Sequence, residues 1–379
     1  MLNTVWRFSF VSSKFQSMET QIKTQALEFR GTTKSQKHFF EISETPVRYE
    51  DPFNAQNFDF YPNRKIVINN NLKSGISIVG YDFTTIKHED AFDLGVSIFE
   101  MMFGVTPQIH REVLSPRTTD YSVDLISENC KIVIDNNGFR YVGPPDLDRP
   151  DYADHESILP NNQRIPMDHI AKDFRDEYYP FIRVSNYLRE GHMFSIELGY
   201  YRYRCSNGMM MGRRTKMTFV RNYQRTSLQE IRQEAFDRFF RHKHEFMGMA
   251  EKLWKLLSMH IPKAQIRMVS FDIFEKELLK KNIQQRKALQ LTLSDFVDQY
   301  VNEIGENLNA ALNVATEFSK LLEGSRVSPS TLQTLATQWM NRVTKQQFNL
   351  TQYLNNLNGL EERIINARET EEIDEPVSW

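Results

Sequence analysis

The stretch from Phe181 to Arg221, FIRVSNYLREGHMFSIELGYYRYRCSNGMMMGRRTKMTFVR, gathers the residue types that hold nucleic acid. Guanidinium forks bind phosphate oxygens, and tyrosine rings stack on bases whatever their identity. Arginine and tyrosine alternate here at strand spacing, so Tyr201 and Tyr203 share one face and Arg202 and Arg204 the other. In this reading Arg183, Arg202, Arg204, Arg213, Arg214, Lys216 and Arg221 line a phosphate track. Tyr201 and Tyr203 stack on bases, at about 1–3 kcal/mol per base. Arg238, Arg241 and Lys243, in the later run RFFRHKH, extend the track. The same residues allow a second reading, in which the tyrosines face the core and the arginines pair with carboxylates of an acidic region upstream.

Other groupings carry weaker chemistry. Asp146, Asp148, Asp151, Asp154 and Glu156 lie in a proline-rich loop and can be read as Mg²⁺ ligands for phosphodiester cleavage or as a solvated loop. No lysine at nuclease spacing accompanies them. Asp168, His169, Asp173 and Asp176 read as a charged face of a helix or as a fragment of a metal or acid/base site, with His169 and Asp173 four residues apart; the charged face is the plainer reading. His242 and His244 are two apart and make a poor metal pair on a helix. Cys205 sits beside arginines that lower a thiol pKa, and is also an ordinary small strand residue. No Walker lysine motif, no GxSxG and no CxxC pair is present. The expected activity is therefore binding rather than catalysis, with no cofactor and no metal.

The tail ETEEIDEPVSW crowds carboxylates before a terminal aromatic. It is similar to the tails with which single-stranded-DNA-binding proteins recruit partners, so Asp374, Glu375 and Trp379 are the expected contacts for replication or recombination proteins. A solubilising disordered end is the plainer reading. Formal net charge is −2 over 379 residues, but its distribution is uneven. Residues 81–160 hold 15 acids and 6 Lys/Arg, a net of −9. Residues 200–267 hold 15 Lys/Arg and 5 acids, a net of +10. Blocks of this size either recruit opposite charge from outside or neutralise each other. The two cysteines, Cys130 and Cys205, suit a reducing cytoplasmic setting, and no apolar run reaches the roughly 20 residues of a membrane span. The acid-free first eighteen residues read as a disordered or docking arm rather than a transit peptide.

The elements that must position these groups follow from periodicity. Residues 65–68 and 76–79 read as short strands and Glu89–Phe103 as a helix stopped by Gly104. Lys131–Val142 reads as a hairpin turning at Asn137-Gly138. Met167–Tyr179 has helical spacing. Phe181–Ser185 and Met193–Cys205 read as antiparallel strands, with a tight turn at Asn207-Gly208. Ser227 and Glu230 form a capping box that opens a long helix over 228–260, and helical patterns continue with breaks at Pro262, near Thr292 and near Gly324. Ser328-Pro329 opens the last helix. The expected fold is α+β: a small antiparallel sheet with helices, followed by a helical C-terminal region. The expected parts are an N-terminal arm and lead-in (1–60), an α+β core domain with the basic-aromatic hairpin (61–225), a helical region (226–366) and an acidic disordered tail (367–379).

Val184-Ser185-Asn186, then Gly199-Tyr200-Tyr201-Arg202-Tyr203-Arg204, then Cys205-Ser206-Asn207-Gly208 resemble a large phage- and plasmid-related family that carries only a domain-of-unknown-function label. Its members show a strand with an Asn-Ser-type turn, then a strand ending in Arg, Cys and an Asn-containing step. Tyr187-Leu188-Arg189-Glu190-Gly191 replaces that family's usual Asp-Gly-Ser turn. The resemblance covers about half the chain and implies a mobile-element setting beside replication and repair genes, without an assigned activity. Together these readings predict a single-stranded nucleic-acid-binding protein, a strand-annealing one included, that takes DNA or RNA and forms a homo-oligomer away from membranes. The alternatives are an oligomeric assembly factor built on the helical third and a metal-dependent nuclease using the 146–156 loop.

Overall fold

Two alternating runs, residues 64–69 and 74–80, pair across a tight turn and begin the first sheet. The computed structural model describes residues 34–35, 39–51, 54–135, 138–144, 168–202, 208–210, 218–224, 226–242, 247–322 and 329–367. The first sheet holds β1 (Ile42–Asp51), β2 (Asn54–Asn69) and β3 (Ser74–Gly80) in that order, all antiparallel. All of β1 and the start of β2 thus lie in the stretch expected as an arm and lead-in.

Helix α1 (His88–Phe103) follows, with Glu89 and Asp90 in its first turn and Gly104 closing it at φ 69. A left-handed residue at that position favours glycine, as the sequence indicates. The buried stripe Leu94, Ile98, Phe99 and Met102 repeats at helical spacing, each side chain contributing about 1.5–3 kcal/mol of burial.

The second sheet contains β4 (Gln108–Leu114), β5 (Asp120–Ile126), β6 (Lys131–Asp135), β7 (Gly138–Val142), β8 (Arg175–Tyr187), β9 (Phe194–Arg202), β10 (Gly208–Met210) and β11 (Thr218–Arg221). Its path runs β10-β9-β8-β5-β4. β11 also pairs with β9, and β6 joins β8 to β7. Every pairing is antiparallel.

Two expectations change here. The β6–β7 hairpin forms, but Asp135 pairs with Gly138, so Gly138 opens β7 instead of sitting in the turn. Residues 175–179 are strand, not helix. Phe174 and Tyr178 are four apart and both buried, which imitates a helical stripe. In fact β8 is central and every residue from Tyr178 to Asn186 is buried, so alternation of polarity is lost on both faces. His169 and Asp173 therefore do not form a helical pair.

The helices are α2 (Leu228–His242), α3 (Met247–Ser258), α4 (Lys263–Leu279), α5 (Ile283–Ile304), α6 (Leu308–Leu322), α7 (Pro329–Val343), α8 (Leu350–Leu357) and α9 (Leu360–Asn366). The capping box before α2 is present: Ser227 N–H donates to Glu230 Oε2 (2.7 Å) and Glu230 N–H to Ser227 Oγ (3.2 Å). The expected long helix ends as α2 at His242, and α5 runs through Thr292 without a break. Pro262 does separate α3 from α4. The expected break near Gly324 and the cap at Ser328 lie outside the described residues; α7 does begin at Pro329, but α8 and α9 follow it, so it is not the last helix.

One hydrophobic cluster extends from Val67 in β2 to Ile365 in α9, so the core continues across residues 225 and 226. Helix α6 is enclosed on nearly all sides. Its buried Asn313, Thr316 and Ser319 donate to the carbonyls of Asn309, Asn313 and Thr316 on their own helix. Arg286 is buried and donates to the carbonyls of Leu278 and Leu279 ending α4, and of Ile364, Ile365 and Ala367 at the end of α9. Its charge offsets the negative ends of two helices.

Sheet and helices meet at Gly305 (φ 106), where a Cβ would stand 2.1 Å from the His169 carbonyl oxygen. Glu306 N–H donates to that oxygen (2.8 Å), and Ala171 N–H to Ile304 O (3.1 Å). Only glycine permits this approach.

Candidate nucleic-acid interface

Antiparallel register explains where the arginines go. Arg183 on β8 lies opposite Asp124 on β5 and Glu197 on β9, and Asp124 lies opposite Arg111 on β4. The row Arg111, Asp124, Arg183, Glu197 therefore alternates in charge across four strands, the arrangement that cross-strand pairing favours. Arg183 grips Asp124 with both prongs, Nε to Oδ1 at 2.6 Å and Nη2 to Oδ2 at 2.7 Å. Tyr201, 4% exposed, donates its hydroxyl hydrogen to Asp124 Oδ2 at 2.5 Å. Its ring packs on Phe181, centroids 4.2 Å apart, and on His110 at 4.6 Å.

These contacts set the protonation states. Burial alone raises the Asp124 pKa, but the Arg183 charge and the hydrogen bonds from Arg183 and Tyr201 outweigh it and hold the carboxyl below its ordinary value. Burial, and then the Asp124 charge, push the Tyr201 phenol well above its ordinary value, so it remains a donor.

Arg202 faces the other way. It is 1% exposed and pairs with Asp176 on β8 and Glu303 on α5, its guanidinium carbon 5.4 Å from the Tyr300 ring centre. Tyr200, on the same face, is fully buried.

Three expected contact residues are thereby corrected: Arg183, Tyr201 and Arg202 cannot line a surface track as the molecule stands. The reason is that both faces of the β8–β9 pair are covered, so strand alternation sends neither tyrosines nor arginines to solvent. For Arg183 the second sequence reading holds, since Asp124 belongs to the acidic region 81–160. Asp176 and Glu303 were not singled out as arginine partners in the sequence. Only the register, which places Asp124 beside Arg183, was open to inference from alternation; Glu303 lies 101 positions from Arg202 and left no local signal.

Of the other expected contacts, Arg221 at the end of β11 has a side chain 43% exposed, 3.5 Å from Glu234 on α2. Arg238 is half-buried, and exposed Arg241 donates through Nε to the Asp237 carbonyl (3.0 Å). Tyr203, Arg204, Arg213, Arg214, Lys216, Lys243, the 146–156 carboxylates, Cys205 and the tail residues Asp374, Glu375 and Trp379 lie outside the described residues. Cys130 is buried, its thiol 3.9 Å from the Ser127 carbonyl.

Asn186, one of the residues carrying the family resemblance, is fully buried and has a structural task. Its Nδ2 donates to Ile86 O (2.8 Å) and to His88 Nδ1 (2.9 Å), while its Oδ1 accepts from Tyr223 (2.8 Å). His88 Nε2–H then donates to Thr118 O at 2.9 Å. Burial lowers the His88 pKa to about 4, which keeps the ring neutral and able to accept from Asn186.

A shallow cleft of about 660 Å³ lies at the sheet–helix junction, lined by Asp168, His169, His260, Asn302 and Glu306 among others. The two imidazoles meet edge to face with centroids 5.6 Å apart, and His260 Nε2 is 3.9 Å from Glu306 Oε2. Among the described residues no group of three or more His, Cys, Asp or Glu is placed to hold a metal ion. Nor is any helix among them long and apolar enough to cross a membrane.

Comparison with family models, with curated proteins and with solved structures gave no match.

Proposed function

We propose that this protein binds single-stranded nucleic acid through the segment 203–217 and its flanks, not through the buried strand arginines. The observation that carries the reading is the charge of that segment. It holds Arg204, Arg213, Arg214 and Lys216 with no carboxylate. Its own Gly208–Met210 pairs with β9, Gly208 opposite Tyr201, and Thr218, which follows it, pairs with Glu197. Exposed Arg221 and Arg241 lie close in sequence to the same edge and join the contact, with Arg238 and Lys243. Tyr203 supplies stacking. Binding includes strand annealing, in the cytoplasmic, mobile-element setting that the resemblance implies, and the acidic tail with Trp379 recruits replication or recombination partners.

Fluorescence anisotropy of the full chain against a labelled single strand and its duplex, at two salt concentrations, tests this. Tight binding that favours the single strand and weakens with a log–log salt slope of about −0.7 per phosphate contact is expected. Absence of binding at low salt would reject it.

One observation favours a second reading, that of an assembly factor whose charge blocks neutralise each other. Arg183 pairs with Asp124, and Arg232 lies 3.5 Å from Asp90, so basic residues do meet the acidic 81–160 region. Under it, nucleic acid never binds and self-association remains.

A further inference from the structure

Arg286 fixes the point at which the C-terminal tail leaves the body. Its guanidinium holds the Ala367 carbonyl (2.7 Å) together with those of Leu278 and Leu279 (both 3.1 Å), so the last described residue stands at the α4–α5 turn. That turn is basic. Lys280 and Lys281 directly follow Leu279, Lys287 follows Arg286, and exposed Arg363 lies on α9 one turn before the exit. Glu277 takes Lys280 at 3.0 Å, whereas Lys281, Lys287 and Arg363 have no ion pair among the described residues. Beside them α5 carries Ile283 (37% exposed), exposed Lys287 and Leu291 (73% exposed), four residues apart in turn and therefore on one outward face.

We propose that this corner of α4 and α5 is the docking surface for the chain's own acidic tail. Residues 369–375 hold Glu369, Glu371, Glu372, Asp374 and Glu375, while Ile373, Val377 and Trp379 supply apolar groups. The carboxylates meet Lys281, Lys287 and Arg363, and the apolar groups cover Ile283 and Leu291. Position and charge both select this occupant. The tail starts beside the lysines, and residues 368–373 alone span up to about 20 Å when extended, against about 12 Å from Ile283 to Leu291 along the helix. A tethered segment faces such a surface at an effective concentration of order millimolar, so a few weak pairs suffice. The first turn of α5 contains no acid of its own, and a helix N-terminus favours nearby carboxylates. Docking does not depend on the nucleic-acid reading. Its consequence does rest on the role given there to the tail: while docked, Trp379 is withheld from replication or recombination partners.

Fluorine NMR of the full chain labelled with fluorotryptophan, at low salt and with Trp379 assigned by Trp379→Phe, tests the proposal. The Trp379 resonance is expected to lie away from that of the free peptide 368–379. Lys281→Glu/Lys287→Glu is expected to shift the docked-to-free ratio about tenfold toward free, and Leu291→Ser to lower it as well, both with unchanged circular dichroism and melting temperature. A wild-type resonance at the free-peptide position overturns the proposal, as does a displaced one that neither variant moves. A displacement that grows with protein concentration places the tail on another copy and overturns it too. Failure of the protein to bind nucleic acid leaves it standing.

Discussion

Arg202 holds a full charge almost wholly out of water, and two carboxylates on different elements surround it. Removing one partner of such a group strands the others, which costs about 3–5 kcal/mol. Arg202→Ala is therefore expected to lower the denaturant midpoint sharply, and any loss of nucleic-acid binding by that variant follows from unfolding. A variant with wild-type stability would show that the pairing with Asp176 and Glu303 is not formed. His88 gives a second prediction. Unfolded, its imidazole titrates near 6.5; folded, near about 4. Above pH 6.5 both states are neutral and nothing is lost. As pH falls through this window the unfolded chain takes up the proton first, so stability declines, by about 2 kcal/mol between pH 7 and pH 5. Urea unfolding at the two pH values measures the decline, and His88→Gln should remove most of it.

At the scale of elements, the most legible parts were those whose signals are local. The stop at Gly104, the capping box at Ser227 and Glu230 and the break at Pro262 each depend on a few neighbouring residues, and each appears in the structure. β8 was legible only from Phe181 onward, because the buried Phe174 and Tyr178, four apart, mimic a helical stripe, while from Tyr178 to Asn186 both faces are covered. The same covering hid the fate of Arg183, Tyr201 and Arg202: strand alternation correctly separated Tyr201 from Arg202, but not which face met solvent. The Gly305 junction is set by contact between residues more than 130 positions apart, and nothing near it in the chain announces it. Gly305→Ala is expected to destabilise the protein by at least ~2 kcal/mol, since a Cβ there meets a backbone oxygen that cannot withdraw. Hydrogen exchange should then rise first at 168–171 and 304–308, and unchanged exchange at both segments would contradict the role assigned to this contact.

Taken whole, the molecule distributes its charge between scaffold and surface. Arg183, Arg202 and Arg286 are buried and serve the fold, tying strand to strand, sheet to helix and helix end to helix end. They are subtracted from the cations that the bulk count of 200–267 and its surroundings offered to a ligand. Under the proposed function the contact rests on the cations of 203–217, so the central claim concerns that segment. The most direct test compares wild type with Arg213→Ala/Arg214→Ala/Lys216→Ala by anisotropy against one labelled single strand, across a salt series. The account predicts weaker binding for every sequence alike and a salt slope shallower by about 2, three phosphate contacts at roughly 0.7 each, with stability unchanged. Equal affinity and equal slope in the two proteins would contradict it.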